Sequence, residues 1–226
     1  MSTVYYSDSN TNTYSMTKVF GWMFYAILLT AATAFGLPYL LVALNATELY
    51  IPILIGGVIA VFILCFLGQF LIARAKSKAT AITIFSLFAV AMGTWISPLM
   101  IIYELGTIVY SLAITAGVFG IMAVYGLVTK RDLDRFGSFL VLLLLGALLV
   151  SIVNIFIANS TLDWVLSYVI LGIYIGFIAY DVQRVKQLAQ SGQLTMNISL
   201  LMALNLYIDF VYIFIRILSI VARSRD

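Results

Sequence analysis

The 226-residue chain is 64% hydrophobic and 9% charged, with a mean hydropathy of +1.13 and a net charge of +3. A water-soluble domain carries about 25% charged residues, so this much apolar surface cannot be hidden in one aqueous core, and the matching solvent is a bilayer. There is no histidine and a single cysteine, Cys65, which excludes Ser-His-Asp and Cys-His catalysis, His/Cys zinc or copper sites and a disulfide framework.

The first stretch, MSTVYYSDSNTNTY, is rich in Ser, Thr, Asn and Tyr. It lacks the basic and short apolar regions of a signal peptide and reads as a flexible polar tail over residues 1–17. Residues 18–226 form the expected membrane unit. Seven apolar stretches follow, at about Val19–Leu44, Tyr50–Ala73, Ala79–Tyr103, Thr107–Thr129, Phe136–Ala158, Leu162–Tyr180 and Leu194–Ala222. Each can cross a hydrocarbon core of roughly 30 Å at about 1.5 Å per residue. The runs are continuous and do not alternate, which favours helices over a barrel. The expected fold is therefore an all-α integral membrane protein with seven transmembrane helices. Pro38 falls late in the first span, Pro52 opens the second, and Pro98 is expected to kink the third.

The loops set the orientation. Lys18, then Arg74, Lys76 and Lys78, then Lys130, Arg131 and Arg135, then Arg184 and Lys186 all fall on one face, whereas the opposite loops carry Glu48, Glu104 and Asp163 and no Lys or Arg. This pattern puts the N-terminus in the cytoplasm, and it makes the basic residues topology signals rather than a nucleic-acid surface. Arg223 and Arg225, after the last span, would lie outside, against the rule. A full crossing by that span is favoured over a re-entrant hairpin. Glu48, Glu104 and Asp163 either form an acidic outer mouth that concentrates cations or are ordinary loop acids. Trp22, Trp95, Trp164, Tyr50, Tyr103 and Tyr110 lie near span ends and read as interfacial anchors.

Two carboxylates stand apart. Asp181 ends the sixth run in IGFIAYDVQRVK, and Asp209 lies inside the seventh in ALNLYIDFVYIFIR. A short polar connection joins the two spans, so they are antiparallel neighbours. Folding the hairpin about residues 191–195 brings the carboxylates level to within about two turns, and level outright if the sixth helix continues past the membrane. Gly172 and Gly176 form a small-xxx-small pair that permits close approach. A lone carboxylate at the bilayer centre costs about 2.5–3.5 kcal/mol. Two that share one proton avoid most of that cost and make a pH-responsive element without histidine. The alternative is that Asp181 marks a helix end and Asp209 stays neutral, bonded to Asn205 one turn earlier. Arg74, on the same face as Asp181, either bridges the pair or is a plain topology residue, and Lys76 or Lys78 could replace it. Arg216 lies two turns beyond Asp209, too far for a direct pair, and is expected to snorkel outward. Asn154, mid-way in the fifth span, is expected to face the bundle interior.

YDVQ at the end of the sixth span and LNLYIDFVYIFIRIL in the seventh resemble the Tyr-Asp-x-Gln and Leu-Tyr-x-Asp-Phe signatures of the Bax inhibitor-1 family, the transmembrane Bax inhibitor motif proteins, and its bacterial members in particular. The resemblance spans about residues 18–222. It implies a central seventh helix surrounded by the other six, a bacterial plasma membrane location, and a pH-sensitive calcium leak. In that scheme Asp181 and Asp209 are the pH sensor and touch Ca²⁺ only transiently. An arginine at the end of the second helix latches onto them. Arg74 is the nearest match, offset by about one residue. Some members carry a glutamate within the second helix, where this chain has Leu64 and Cys65. A later Asn of the seventh-helix motif is replaced by Tyr212.

Hard cations want oxygen ligands, and two carboxylates are too few for tight binding, which suits a passive leak with Ca²⁺ as the permeating ion and no resident cofactor. Proton-coupled exchange is the neighbouring possibility. The partners expected are lipid, Ca²⁺ and H⁺, with no nucleic acid. The alternative function is an interaction protein that modulates a membrane protease or stress factor through its polar tail. Enzyme chemistry is not expected: a rhomboid-type protease needs histidine, and a retinal pigment needs a lysine inside a span.

Overall fold

The computed structural model describes residues 15–224. They form seven helices long and apolar enough to cross a membrane: α1 (Met16–Ala43), α2 (Thr47–Arg74), α3 (Lys78–Ile102), α4 (Leu105–Val128), α5 (Asp134–Ile157), α6 (Ser160–Gln190) and α7 (Met196–Arg223). No strand occurs among the described residues. Continuous helices satisfy every backbone group within one segment, which a hydrocarbon solvent demands. Most of the expected polar tail lies outside the described residues. Within them, Ser15 is extended and α1 already begins at Met16.

Helix starts follow local capping chemistry. Ser77 accepts a hydrogen bond from the Ala79 amide, Asn159 from Leu162 and Thr195 from Ile198, at 3.2, 3.1 and 3.3 Å, each satisfying an amide with no helical partner. Pro98 lies inside α3 and lacks the N–H that would bond the Thr94 carbonyl. The Ser97 hydroxyl supplies the missing donor at 2.8 Å, and Tyr50 of α2 meets the same hydroxyl at 3.0 Å. In α2 the helix opens with a 3₁₀ turn at Thr47–Leu49 and contains a π turn at Leu64–Gly68.

Burial sorts the helices. In the most apolar window of α7, 67% of residues are buried, against 6% in α2. α7 packs on α1, α3, α4, α6 and the Gln69–Arg74 end of α2. α5 packs chiefly on α6, which makes it an outer member and not part of a shell around α7. α7 is one uninterrupted helix, about 42 Å long at 1.5 Å per residue, so the re-entrant alternative is not what the chain adopts.

Two glycines set the closest helix approaches. A Cβ on Gly93 would lie 2.6 Å from the Thr30 carbonyl, fixing α3 against α1, and one on Gly126 would collide with the Ala179 backbone, fixing α4 against α6. On α6, Gly176 is pressed against Leu140 of α5, whereas Gly172 meets open space. The expected glycine pair therefore works through one member only, and it seats α5 rather than α7.

A carboxylate pair between the last two helices

α6 continues from Asp181 to Gln190, and residues 191–195 turn the chain into α7. Gly192 takes the positive φ of +69° that this turn requires. Because α6 runs past the apolar stretch, Asp181 and Asp209 come level. Both are buried, at 7% and 6% exposure, and their carboxyl groups are within hydrogen-bonding reach of each other. The Asp209 Oδ2 is buried and has no hydrogen-bond partner among the described residues. Asn205 is half-buried and is not that partner. Two charged carboxylates in contact in a low-dielectric seam would repel.

The residues around the pair hold both helices in register. Tyr207, in the turn before Asp209, is fully buried. Its hydroxyl lies 2.6 Å from that of Thr30 on α1, and Thr30 donates onward to the Ala89 carbonyl of α3 at 3.0 Å, so the phenol is the donor to Thr30. Phe210 packs edge-on against Phe119 of α4, with ring centroids 5.7 Å apart. On α6, Gln183 grips the α4–α5 connection at two points: its carbonyl accepts from the Leu133 amide and its amide donates to the Arg131 carbonyl, both at 2.8 Å. Lys186 donates to the Leu127 carbonyl at 2.6 Å, at the end of α4 where the helix dipole favours a cation.

The candidate latch lies elsewhere. Arg74 is exposed, with its guanidinium carbon 4.0 Å from the centroid of the Phe70 ring, and the structure does not bring it to the carboxylates. The cation near enough to act on Asp181 is Arg184, three residues on along α6. The loop after α2 is tied to α7 differently, by Asn197, which donates to the Ala75 carbonyl at 3.0 Å. Asn154 is buried as expected, but at the end of its helix and not mid-way. It sits in the last turn of α5 and exchanges two hydrogen bonds with Asn159, at 3.2 and 3.3 Å, closing the α5–α6 connection.

Away from the basic loops, the α6–α7 seam continues as a polar column. Tyr174 stacks on Tyr212 with ring centroids 4.1 Å apart. Arg216 then donates to the Ser167 hydroxyl at 3.2 Å and to the Tyr212 hydroxyl at 3.4 Å. It is half-buried and reaches toward the outer end of the bundle, where Asn159, Ser160 and Asp163 line a cavity with it. A cavity of about 470 Å³ opens there, lined by Ser151, Asn154, Asn159, Asp163 and Arg216 among others. A second cavity, of about 400 Å³, lies between the start of α5 and the last turns of α6, lined by Asp134, Tyr180 and Arg184. The three expected mouth acids do not assemble. Glu48 lies in the turn that opens α2, Glu104 precedes α4, and Asp163 shares its cavity with Arg216. Among the described residues no three carboxylates are grouped to hold a metal.

The sequence points to the carboxylates and not to Gln183, Arg184 or the Tyr174–Tyr212 stack. Gln183 stands in YDVQ, but its role depends on where the 129–133 connection folds, which no local pattern encodes.

These features define a seven-helix membrane protein with a carboxylate pair buried between its last two helices. The family described as "Inhibitor of apoptosis-promoting Bax1" matches residues 12–226, and the chain belongs to this Bax inhibitor-1 family. The inner membrane protein YbhL of Escherichia coli K12 is 33% identical over 215 residues, which cover 93% of this chain and 92% of the relative. A protein from Deinococcus radiodurans is 32% identical over 220 residues, covering 93% and 90%. One from Borreliella burgdorferi is 31% identical over 222 residues, covering 93% and 92%.

Proposed function

We propose that the protein is a pH-sensitive calcium leak in a bacterial inner membrane, with its N-terminus cytoplasmic and no covalent chemistry of its own. The observation that carries this reading is the contact between two buried carboxyls, one oxygen of which has no protein partner. Such an oxygen is open to a proton or a cation. Cavities lie near both ends of α6, mostly on its α5 side, and the Tyr174–Tyr212 stack closes the α6–α7 seam between the pair and the far end. This is the arrangement of a closed path. A proton shared by the pair keeps Asp181 and Asp209 together. Its loss leaves two negative charges that repel and offer up to four oxygens to a hard cation, fewer than the six to eight that Ca²⁺ takes when tightly held. Passage rather than storage follows from that shortage.

The test is calcium entry into dye-loaded liposomes that contain the purified protein, read from about pH 5 to pH 8. Flux should vary with pH in the native protein. Asp181→Asn and Asp209→Asn should each flatten the profile, because neither variant can form a pair that shares and releases a proton. Native protein with no flux above empty vesicles at any pH would refute the leak and leave the interaction reading, for which deletion of residues 1–14 is the probe.

A further inference from the structure

The far end of the seam carries a charge that the leak reading does not use. Arg216 lies within a membrane-spanning helix and is half-buried. Its hydrogen-bond partners among the described residues are two neutral hydroxyls, those of Ser167 and Tyr212. A guanidinium has five N–H donors, so three remain for other partners. A buried charge is costly unless it is paired, and no carboxylate pairs with Arg216 among the described residues. The group instead lines two adjacent cavities, of about 470 and 60 Å³. Two turns along the same helix, Arg223 lines the smaller one, with its guanidinium carbon 5.1 Å from the centroid of the Trp164 ring. Asp163 lines both cavities without forming an ion pair with either arginine, so the site is net positive. Ser160, the first residue of α6, lines the larger cavity and brings the positive end of that helix dipole to it.

We propose that this site binds a phosphoryl anion, with Arg216 as its fork and Arg223 as a second charge. Arginine matches phosphate oxygens through paired, nearly parallel N–H groups. Trp164 lines the smaller cavity with both arginines, and tryptophan is enriched at the depth of lipid headgroups. The site also accounts for basic residues at the end of the bundle where the charge pattern of the loops predicts none. The inference does not depend on calcium passage, and its test reads binding alone.

The full chain, purified in a neutral detergent, is offered equal amounts of phosphatidylglycerol and phosphatidylcholine, and retained lipid is counted by native mass spectrometry. Native protein should retain the anionic lipid about tenfold more than the zwitterionic one, and Arg216→Gln should remove most of that preference. Arg223→Gln should reduce it less. Arg216→Lys, which keeps the charge but loses the fork, should fall between, and it stands in if the Gln variant does not fold. Asp163→Asn should leave retention unchanged or raise it. The double variant Lys130→Gln/Arg131→Gln, at the other end of the bundle, should keep the Arg216-dependent preference. In a parallel arm, millimolar inorganic phosphate that raises the melting temperature of native protein but not of Arg216→Gln, with no lipid preference, assigns the site to a free anion. If Arg216→Gln, or Arg216→Lys in its place, matches native protein in both arms, the proposal is wrong.

Discussion

α2 and α7 are each 28 residues long, with window hydropathies of 2.7 and 2.0, yet they occupy opposite environments. α2 shows lipid almost everything it has. Gly57, Gly68 and Ile72 are its buried residues, and Phe62 and Phe66 are 65% and 77% exposed. α7 is enclosed by other helices and carries Asn205, Asp209 and Arg216. The less apolar helix is the inner one. In water the most hydrophobic segment goes to the core. In a bilayer, lipid is as apolar as leucine, so burial no longer follows hydropathy. Polar side chains go where other helices can meet them, and α7 keeps its carboxylate because α6 supplies a partner at the same depth.

Four substitutions sharpen this contrast. The largest effect is expected from Ile59→Asp, which puts on the lipid face of α2 the residue that α7 tolerates. Without a partner it should cost about 2.5–3.5 kcal/mol of insertion free energy, measurable in a membrane-insertion assay, and insertion equal to native would overturn the contrast. Next, Leu204→Ala in the fully buried part of α7 should lower stability in detergent by about 2 kcal/mol through lost packing, while Phe62→Ala on α2 should change it by less than about 0.5 kcal/mol. Equal losses at the two sites would show that α7 is not the more enclosed helix. Tyr207→Phe, which removes the hydrogen bond to Thr30, is the milder change within α7. It should cost about 1 kcal/mol and leave calcium retention in liposomes near native. A loss several times larger would mean that the Thr30–Ala89 relay also positions Asp209.

Much of this was legible in the sequence, for physical reasons. Continuous apolar runs must be helices in lipid, and a lone carboxylate within one stands out because it is expensive, which is why the sequence alone matches Asp181 and Asp209 across a hairpin. What stayed hidden depended on a small shift or on a distant partner. Asn154 is polar within an apolar run, which suggests an interior role, but its position close to the end of that run is what decides its partners. The helix ends at Ile157, where Ala158 turns left-handed with φ +53°, so Asn154 is a residue of the last turn. Gln183 and Tyr212 take their meaning from partners 50 and 38 residues away in sequence, and no periodicity reports those. Gly172 and Gly176 share a face by spacing alone, and only the placement of α5 decides which one is used.

The π turn at Leu64–Gly68 bears on Arg74. Such a turn holds one residue more than the α-helical turn it replaces, so everything after it is rotated by about 100° relative to an uninterrupted helix. That extra residue lies between the outer half of α2 and its final turn, where Ile72 is buried against α7 and Arg74 faces outward over Phe70. The azimuth of Arg74 is therefore a phase set within α2. Relaxing the π turn to α-helix would turn this cation about the helix axis without moving the helix itself.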